Sequence, residues 1–179
     1  MGAARDPDVW PGEHYKLLAA LVRVLGAKRV VEIGTFRDPR ALALVQNLPE
    51  GGKVTTFDVI PADRIPGSVL VPGDFADGRL VQVVADLTDG ATFEKHRALL
   101  EEADLLFVDA AKDGVMERVF LERFAGAKFA RDPIILFDDI RVWNMLGIWS
   151  AIDRPKLDLT SFGHYSGTGL IDWNGRSEG

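Results

Sequence analysis

The 179-residue chain carries 21 Lys and Arg against 27 Asp and Glu, a net charge of −6, and it contains no cysteine. The missing cysteines exclude disulfides, thiolate metal sites and a cysteine nucleophile. The acidic balance argues against the concentrated basic face that nucleic acid binding needs, and no apolar run approaches the ~20 residues that cross a bilayer. We therefore expect one globular domain over residues 1–179 that binds neither nucleic acid nor membrane.

The first ten residues, MGAARDPDVW, include two acids and no apolar stretch. A secretory signal requires such a stretch, so this segment does not resemble one. Together with the absence of cysteine, this predicts a cytoplasmic protein.

Hydrophobic periodicity predicts alternating helices and strands. In chain order we expect a helix over 17–25 that Gly26 ends, a strand over 29–33, a helix over 40–48, a strand over 54–59, a loop over 60–79, a strand over 80–85, a helix over 91–102, a strand over 105–109, a helix over 115–124, a strand over 133–137 and a helix over 144–152. Two strand-like segments follow, 157–162 and 169–173, and the connection over 163–168 suits a hairpin.

The first five predicted strands are apolar on both faces and are separated by helices. This pattern is typical of a parallel sheet with helices on both sides. With the C-terminal antiparallel hairpin, it predicts an α/β fold with a doubly wound, mostly parallel sheet of seven strands. Ligands of such sheets bind at the carboxyl ends of the strands, where the winding reverses.

Carboxylates mark these strand ends. Each could cap the helix that follows, since Asp is a favoured N-cap residue. A row of acids along one edge of the sheet instead favours a shared ligand rich in hydroxyl and amino donors. The first strand has Glu32 near its end, and the next four strands end in or just before Asp58, Asp86, Asp109, and the pair Asp138 and Asp139.

Asp58 follows Gly34 by 24 positions, at the end of the second predicted strand. In this arrangement an acid accepts hydrogen bonds from a ribose diol, while a glycine turn lets the backbone approach the ligand. Asp86 is placed to accept from an adenine amino group. The apolar neighbours Phe57, Val59 and Leu87 either form the walls for the purine or belong to the ordinary core.

The turn after the first strand reads GTFRDPR over 34–40. A dinucleotide site uses G-x-G-x-x-G, so that a pyrophosphate can approach the helix N-terminus. Here Phe36 and Pro39 occupy the positions of the second and third glycines. The turn therefore favours a ligand that lacks phosphate but carries a sugar, a purine and an amino acid.

With these motifs the chain resembles the class I S-adenosylmethionine-dependent methyltransferases, particularly the small-molecule O-methyltransferases related to the catechol and caffeoyl-CoA enzymes. The resemblance extends from about residue 19 onward and implies the Rossmann-like methyltransferase fold. It is carried by VVEIGTF at 30–36, FDV at 57–59, VAD at 84–86, FVDA at 107–110 with Lys112, and IILFDD at 134–139.

The resemblance implies methyl transfer from S-adenosylmethionine to an oxygen, or as second choice a nitrogen, of a small or glycosylated acceptor. It also implies a set of cofactor-binding residues. Glu32 and Gly34 would line the methionine half, Asp58 would bind the ribose and Asp86 the adenine. The full set is Glu32, Gly34, Thr35, Phe36, Asp58, Val59, Asp86, Leu87 and Asp109.

The metal-dependent branch of this family implies a Mg²⁺ site, and Asp109, Asp138 and Asp139 occupy the ligand positions, with Asp139 in place of the usual Asn. Oxygen ligands suit a hard divalent cation, which lowers the pKa of a bound hydroxyl. Without a metal, Asp109 would lie near the cofactor's amino group, and Asp138 or His164 would act as the base. The candidate catalytic residues are therefore Asp109, Asp138 and His164.

The chain departs from the family at Asp38, Pro39 and Arg40, where small residues ending in serine are usual. An arginine in this segment, Arg37 or Arg40, either binds the methionine carboxylate or lies solvated on the surface. The departure keeps open the alternative of a catalytically silent relative that binds the cofactor or a partner. An NAD(P)-dependent oxidoreductase on a similar sheet is a further, less favoured alternative, because the second and third glycines of the dinucleotide motif are absent.

The C-terminal third is expected to form the acceptor side. Trp143, Met145 and Trp149 either line the acceptor pocket or belong to the helix core. The other two histidines, His14 and His96, fall in helical patterns and are expected at the surface. Because little chain precedes the first strand, we expect either an open pocket or a homo-oligomer that closes it.

Overall fold

The computed structural model describes residues 12–37, 39–162 and 164–175. Within these described residues the chain forms five α-helices and seven β-strands. The helices are α1 (Gly12–Leu25), α2 (Arg40–Val45), α3 (Gly90–Glu101), α4 (Met116–Ala125) and α5 (Met145–Ala151), and the strands are β1 (Arg29–Ile33), β2 (Lys53–Asp58), β3 (Leu80–Val84), β4 (Leu105–Val108), β5 (Ile134–Asp138), β6 (Lys156–Asp158) and β7 (Thr168–Asp172).

The seven strands form one sheet in the order β3-β2-β1-β4-β5-β7-β6. Strands β1 to β5 pair in parallel, and β7 runs antiparallel to both β5 and β6. This arrangement confirms the predicted doubly wound sheet with a C-terminal antiparallel hairpin. The winding reverses between β1 and β4, so the carboxyl ends of these two strands mark the expected position of a ligand.

Strand residues alternate between two hydrophobic cores, one on each face of the sheet. In β4, Leu106 and Val108 belong to the core that contains Phe93, Phe120 and Phe124 from α3 and α4. The other two residues of β4, Leu105 and Phe107, pack with Leu18 and Val22 of α1 on the other face. Because both faces are covered, the strands read as continuous apolar runs rather than as alternating ones.

The helix expected over 17–25 begins at Gly12 and the helix expected over 40–48 ends at Val45. Two other predicted segments differ from the structure in the kind of element they form. The expected strand over 157–162 is confined to Lys156–Asp158, and Thr160–Phe162 forms a 3-10 turn. The Asp158 carboxylate accepts hydrogen bonds from the backbone N–H and the hydroxyl of Thr160, and such a local bond ends a strand. The expected loop over 60–79 contains two further 3-10 turns, Ala62–Arg64 and Pro72–Phe75.

In the described part of the chain, no helix has the length and apolar character that crossing a membrane requires.

Candidate functional site

A cavity of about 630 Å³ opens at the carboxyl ends of the parallel strands. This volume is in the usual range for small-molecule sites. Its lining includes Gly34 after β1, Asp58 at the end of β2, Asp86 after β3, Asp109 after β4 and Asp138 at the end of β5. The acids predicted at the strand ends therefore meet around one cavity at the point where the winding reverses.

The strand-end acids do not cap the following helices. The N-cap residues of α2, α3, α4 and α5 are Pro39, Asp89, Val115 and Asn144. The capping bond of α3 runs from the backbone N–H of Thr92 to Asp89 over 2.7 Å. The capping explanation of the strand-end carboxylates therefore does not hold for these helices.

Gly34 allows β1 and β4 to approach each other where the cavity begins. Its φ is +100°, in the left-handed region, and a Cβ atom there would clash with the backbone carbonyl of Asp109. The backbone N–H of Asp109 donates to the Ile33 carbonyl over 2.9 Å. Only glycine satisfies both the backbone angle and the close contact.

Asp58 and Asp86 lie at one end of the cavity, and backbone bonds orient both. The two oxygens of Asp58 accept from the N–H groups of Phe36 and Ile60, each over 3.0 Å. Asp86 accepts from the N–H and the hydroxyl of Thr88 over 2.8 and 2.6 Å. Each carboxylate oxygen has a further lone pair, so both acids remain able to accept hydrogen bonds from a ligand.

Apolar residues form the walls beside these two acids. Val59 is 60% exposed at the cavity mouth, whereas Phe57 and Leu87 are 1% and 2% exposed. Phe57 and Leu87 belong to the core and also line the cavity, so a place in the core does not exclude contact with a ligand. A flat apolar ligand would contact Val59 on the open side.

Two residues expected to touch the cofactor, Glu32 and Thr35, do not line the cavity. Both are fully buried. The Thr56 hydroxyl donates to Glu32 over 2.5 Å and lies 2.7 Å from the Thr35 hydroxyl, which also accepts from Gln82 over 3.2 Å. These side chains therefore support the cavity from below, joining the ends of β1, β2 and β3.

The three predicted metal ligands, Asp109, Asp138 and Asp139, do come together, with carboxylate oxygens within 4.8 Å of one another. Two buried cations contact them. Arg40 pairs with Asp109 and lies 3.7 Å from Asp138, while Lys112 pairs with Asp109 and lies 3.7 Å from Asp139. Burial lowers the pKa of Lys112, and the nearby aspartates oppose that effect.

As arranged, this cluster does not fit a divalent cation. A metal that bridges Asp109 and Asp138 needs the space that the Arg40 guanidinium holds between them. It would also be repelled by Arg40 and Lys112, since the buried surroundings screen such repulsion only weakly. Metal binding would therefore require the Arg40 side chain to leave.

His164 is buried beside Asp138, with its Nδ1 atom 3.2 Å from the carboxylate. Its ring also lies against His14, with ring centroids 4.5 Å apart. A carboxylate partner that orients an imidazole is the usual arrangement of a histidine base. Two of the candidate catalytic residues, Asp138 and His164, therefore form a buried pair that lines the cavity.

The expectation that His14 lies at the surface is wrong, since it is 1% exposed and lines the cavity. Its Nδ1 atom is 3.1 Å from the Thr168 hydroxyl. Burial first, and then the nearby His164 and Arg40, hold the pKa of His14 well below its usual value. The sequence spacing could have indicated this burial, since His14 precedes the buried Leu18 and Val22 by one and two helical turns and so lies on the same face of the helix.

Exposed aromatic side chains surround the mouth of the cavity: Phe36, Trp143 and Tyr165 are 49%, 77% and 75% exposed. Met145 and Trp149 are buried core residues instead, so of the three candidates for the acceptor pocket only Trp143 lines the cavity.

The non-glycine residues with left-handed backbone in the described part of the chain are Phe36, Lys112, Asp139 and Trp143, and all four line the cavity. Strain of this kind concentrates at functional sites.

The unusual segment before α2 is partly described. Asp38 lies outside the described residues. Arg37 is exposed and lies over the Phe36 ring at 5.0 Å. Arg40 is 5% exposed, so it is not a solvated surface residue.

Comparisons with known proteins point to one family. The family described as O-methyltransferase matches residues 9–144. Caffeoyl-CoA O-methyltransferase 2 of Zea mays is 29% identical over 136 residues, covering 72% of this chain and 48% of that protein. Tricin synthase 1 of Oryza sativa subsp. japonica is 37% identical over 109 residues, covering 56% of this chain and 41% of that protein. The chain spans about half the length, or less, of these curated relatives.

A crystal structure of the methyltransferase PaMTH1 of Podospora anserina, bound to S-adenosylhomocysteine (SAH), superposes with a TM-score of 0.65. The sequence identity is 21%, and the match covers 90% of this chain and 78% of that one. At this identity the likeness establishes the fold.

Proposed function

The chain belongs to the O-methyltransferase family, and from this membership and the geometry of the cavity we propose that it transfers a methyl group from S-adenosylmethionine to the hydroxyl oxygen of a small acceptor. The observation that carries the proposal is one cavity that contains Asp58 and Asp86 together with the His164–Asp138 pair. The first two acids suit a nucleoside, and the pair suits removal of a proton.

We assign the cofactor to the side of the cavity formed by β1 to β4. The Asp58 carboxylate would accept from the ribose hydroxyls and Asp86 from the adenine amino group, with Val59 and Leu87 against the purine. The methionine part would lie along Gly34 and Phe36, with its positive charges near Asp109. Glu32 and Thr35 would hold this wall in place without touching the cofactor.

In the proposed reaction the acceptor oxygen attacks the methyl carbon in line with the carbon–sulfur bond. The carbon–oxygen bond forms as the carbon–sulfur bond breaks, and the sulfur keeps the electron pair, leaving SAH. His164 takes the proton of the acceptor hydroxyl, while Asp138 orients the ring and stabilises the imidazolium. The sulfonium is already a strong methyl donor, so alignment of the two reactants is the main task of the protein.

The exposed aromatic residues at the mouth support a planar acceptor. Trp143 and Tyr165 would contact its faces, since aromatic pairs favour offset or edge-to-face packing. The mouth leaves these residues 77% and 75% exposed, so a sugar attached to the acceptor could extend into solvent. This keeps glycosylated acceptors within the proposal.

Calorimetric titration of the whole chain with SAH and with NAD tests the cofactor assignment. We expect SAH to bind and NAD not to bind, because the turn over 34–40 lacks the glycines of a pyrophosphate site. Binding of NAD alone would overturn the assignment. A radiolabelled methyl-transfer screen against phenolic and glycosylated acceptors then distinguishes an enzyme from a silent cofactor-binding relative.

Assembly into homo-oligomers and location in the cytoplasm stay predictions. Sedimentation of the purified chain and fractionation of the source cells would test them.

A further inference from the structure

Arg40 is the first residue of α2, yet its side chain is buried and lines the cavity rather than being directed to bulk solvent. Its guanidinium lies over the ring of Phe107 at 5.7 Å. It pairs with Asp109, lies 3.7 Å from Asp138, and its Nε atom is 4.0 Å from Glu32. A buried cation is stable only where carboxylates surround it, so these contacts fix the position of Arg40.

The same contacts fix the carboxylates. Asp109 and Asp138 are held by Arg40 from one side, and Lys112 reaches Asp109 and Asp139 from the other. Arginine stays charged at any working pH and presents its donors in a rigid plane. Each of the three clustered aspartates therefore lies next to a positively charged side chain of the protein itself.

We propose that Arg40 is the resident cation of the Asp109–Asp138–Asp139 cluster and takes the place of a divalent metal, so that this chain works without one. A short side chain such as serine at position 40 could not reach the carboxylates. The side chain of Arg40 is thus a positioning residue that orders Asp138 for its role beside His164. The catalytic part of this inference rests on the proposed function.

Mn²⁺ titration, followed by electron paramagnetic resonance, tests the inference without any activity assay. The variants are Arg40→Ser, which removes the cation and leaves the three carboxylates, and Arg40→Lys, which keeps the charge. Arg64→Ser is the matched control, since it loses the same charge at an exposed position away from the cavity. Asp138 also belongs to a second group of possible metal ligands, with His14 and His164. The titration therefore detects Mn²⁺ bound either by this group or by the three aspartates.

We expect no Mn²⁺ binding at millimolar concentration for the wild type, Arg40→Lys and Arg64→Ser. Arg40→Ser should bind at least about tenfold more tightly, because three carboxylates then face an open site. Mn²⁺ should raise the Tm of Arg40→Ser alone. Stoichiometric Mn²⁺ binding by the wild type at millimolar concentration, or no tighter binding by a folded Arg40→Ser, would overturn the inference. If Arg40→Ser does not fold, the wild type and Arg40→Lys decide the question, because binding by either one contradicts it.

Activity supplies the second test. Wild-type methyl transfer should be unchanged by a chelator, and loss of activity that Mg²⁺ restores would overturn the inference. If no acceptor is methylated while the Mn²⁺ results match expectation, the proposed function is wrong. The inference that Arg40 takes the place of a metal is then still supported.

Discussion

At the scale of a single residue, the proposed cofactor site depends on the Asp58 carboxylate. Its oxygens accept hydrogen bonds from the backbone N–H groups of Phe36 and Ile60, and the residue lines the cavity. Asp58→Ala should therefore weaken SAH binding by more than about 1 kcal/mol, or at least about fivefold, because it removes hydrogen bonds to a charged group. Calorimetric titration measures the change.

Asp63→Ala is the control for this prediction, since it removes an exposed carboxylate on the nearby 3-10 turn. Equal SAH affinity of Asp58→Ala and the wild type would refute the ribose assignment.

In the proposed reaction, His164 is the residue that takes the proton of the acceptor. His164→Asn should lower kcat by about 10²–10⁴-fold, the usual contribution of a general base, while SAH affinity stays unchanged. Steady-state kinetics together with SAH titration measure the two effects separately. His96→Asn is the comparison, because its ring lies outside the cavity lining, against the edge of Phe57 at 5.3 Å. A kcat for His164→Asn close to that of His96→Asn would exclude His164 as the base.

At the scale of elements, the contact between β1 and β4 depends on Gly34. Gly34→Ala should reduce the free energy of unfolding by at least about 2 kcal/mol, since it combines backbone strain with a clash against the Asp109 carbonyl. SAH binding should weaken as well, because the strand ends must separate. Denaturant unfolding and calorimetry measure both quantities.

Gly26→Ala separates the two causes. Its φ is +59°, but no atom lies within 4 Å of the added Cβ, so it should show only the cost of the left-handed backbone, about 1 kcal/mol. Equal destabilisation by the two variants would show that the clash at Gly34 has no effect.

At the scale of the whole molecule, the burial of His14 makes stability depend on pH. Burial lowers its pKa well below 6.5 in the folded state, while the unfolded chain regains the ordinary value. The folded state therefore takes up the proton less readily, and its stability is full above pH 6.5 and falls as the pH drops below it. The slope due to this group approaches about 1.4 kcal/mol per pH unit.

Urea unfolding between pH 7 and pH 5, that is across about the ordinary histidine pKa, should show this slope for the wild type, and His14→Gln should flatten it. Burial also lowers the pKa of His96, so a smaller slope in the same direction remains in the variant. Carboxylates with a lowered pKa, such as Asp113 and Asp158, change the free energy of unfolding only near and below pH 3.8, the ordinary pKa of aspartate. Identical slopes for the wild type and His14→Gln would contradict the prediction.

The order of the strands in the sheet brings together residues that are distant in sequence. Asp58, Asp109 and Asp138 are far apart in sequence, and parallel pairing of β2-β1-β4-β5 places them along one edge. The strand-end acids line one cavity because the carboxyl ends of parallel strands always lie on the same side of a sheet. Glu32 was less predictable, because its position inside β1 turns it toward Thr56 below the cavity.

The sequence by itself determined the α/β alternation, the parallel sheet and the row of acids at the strand ends, because periodicity and strand-end position are local properties of a chain. Only the tertiary structure decided the partners of those acids. It brought His14 from the first helix beside His164, and it turned Arg40 inward between Asp109 and Asp138. Local pattern does not reveal such contacts, since the energy of a buried charge depends on which distant groups the fold brings near it.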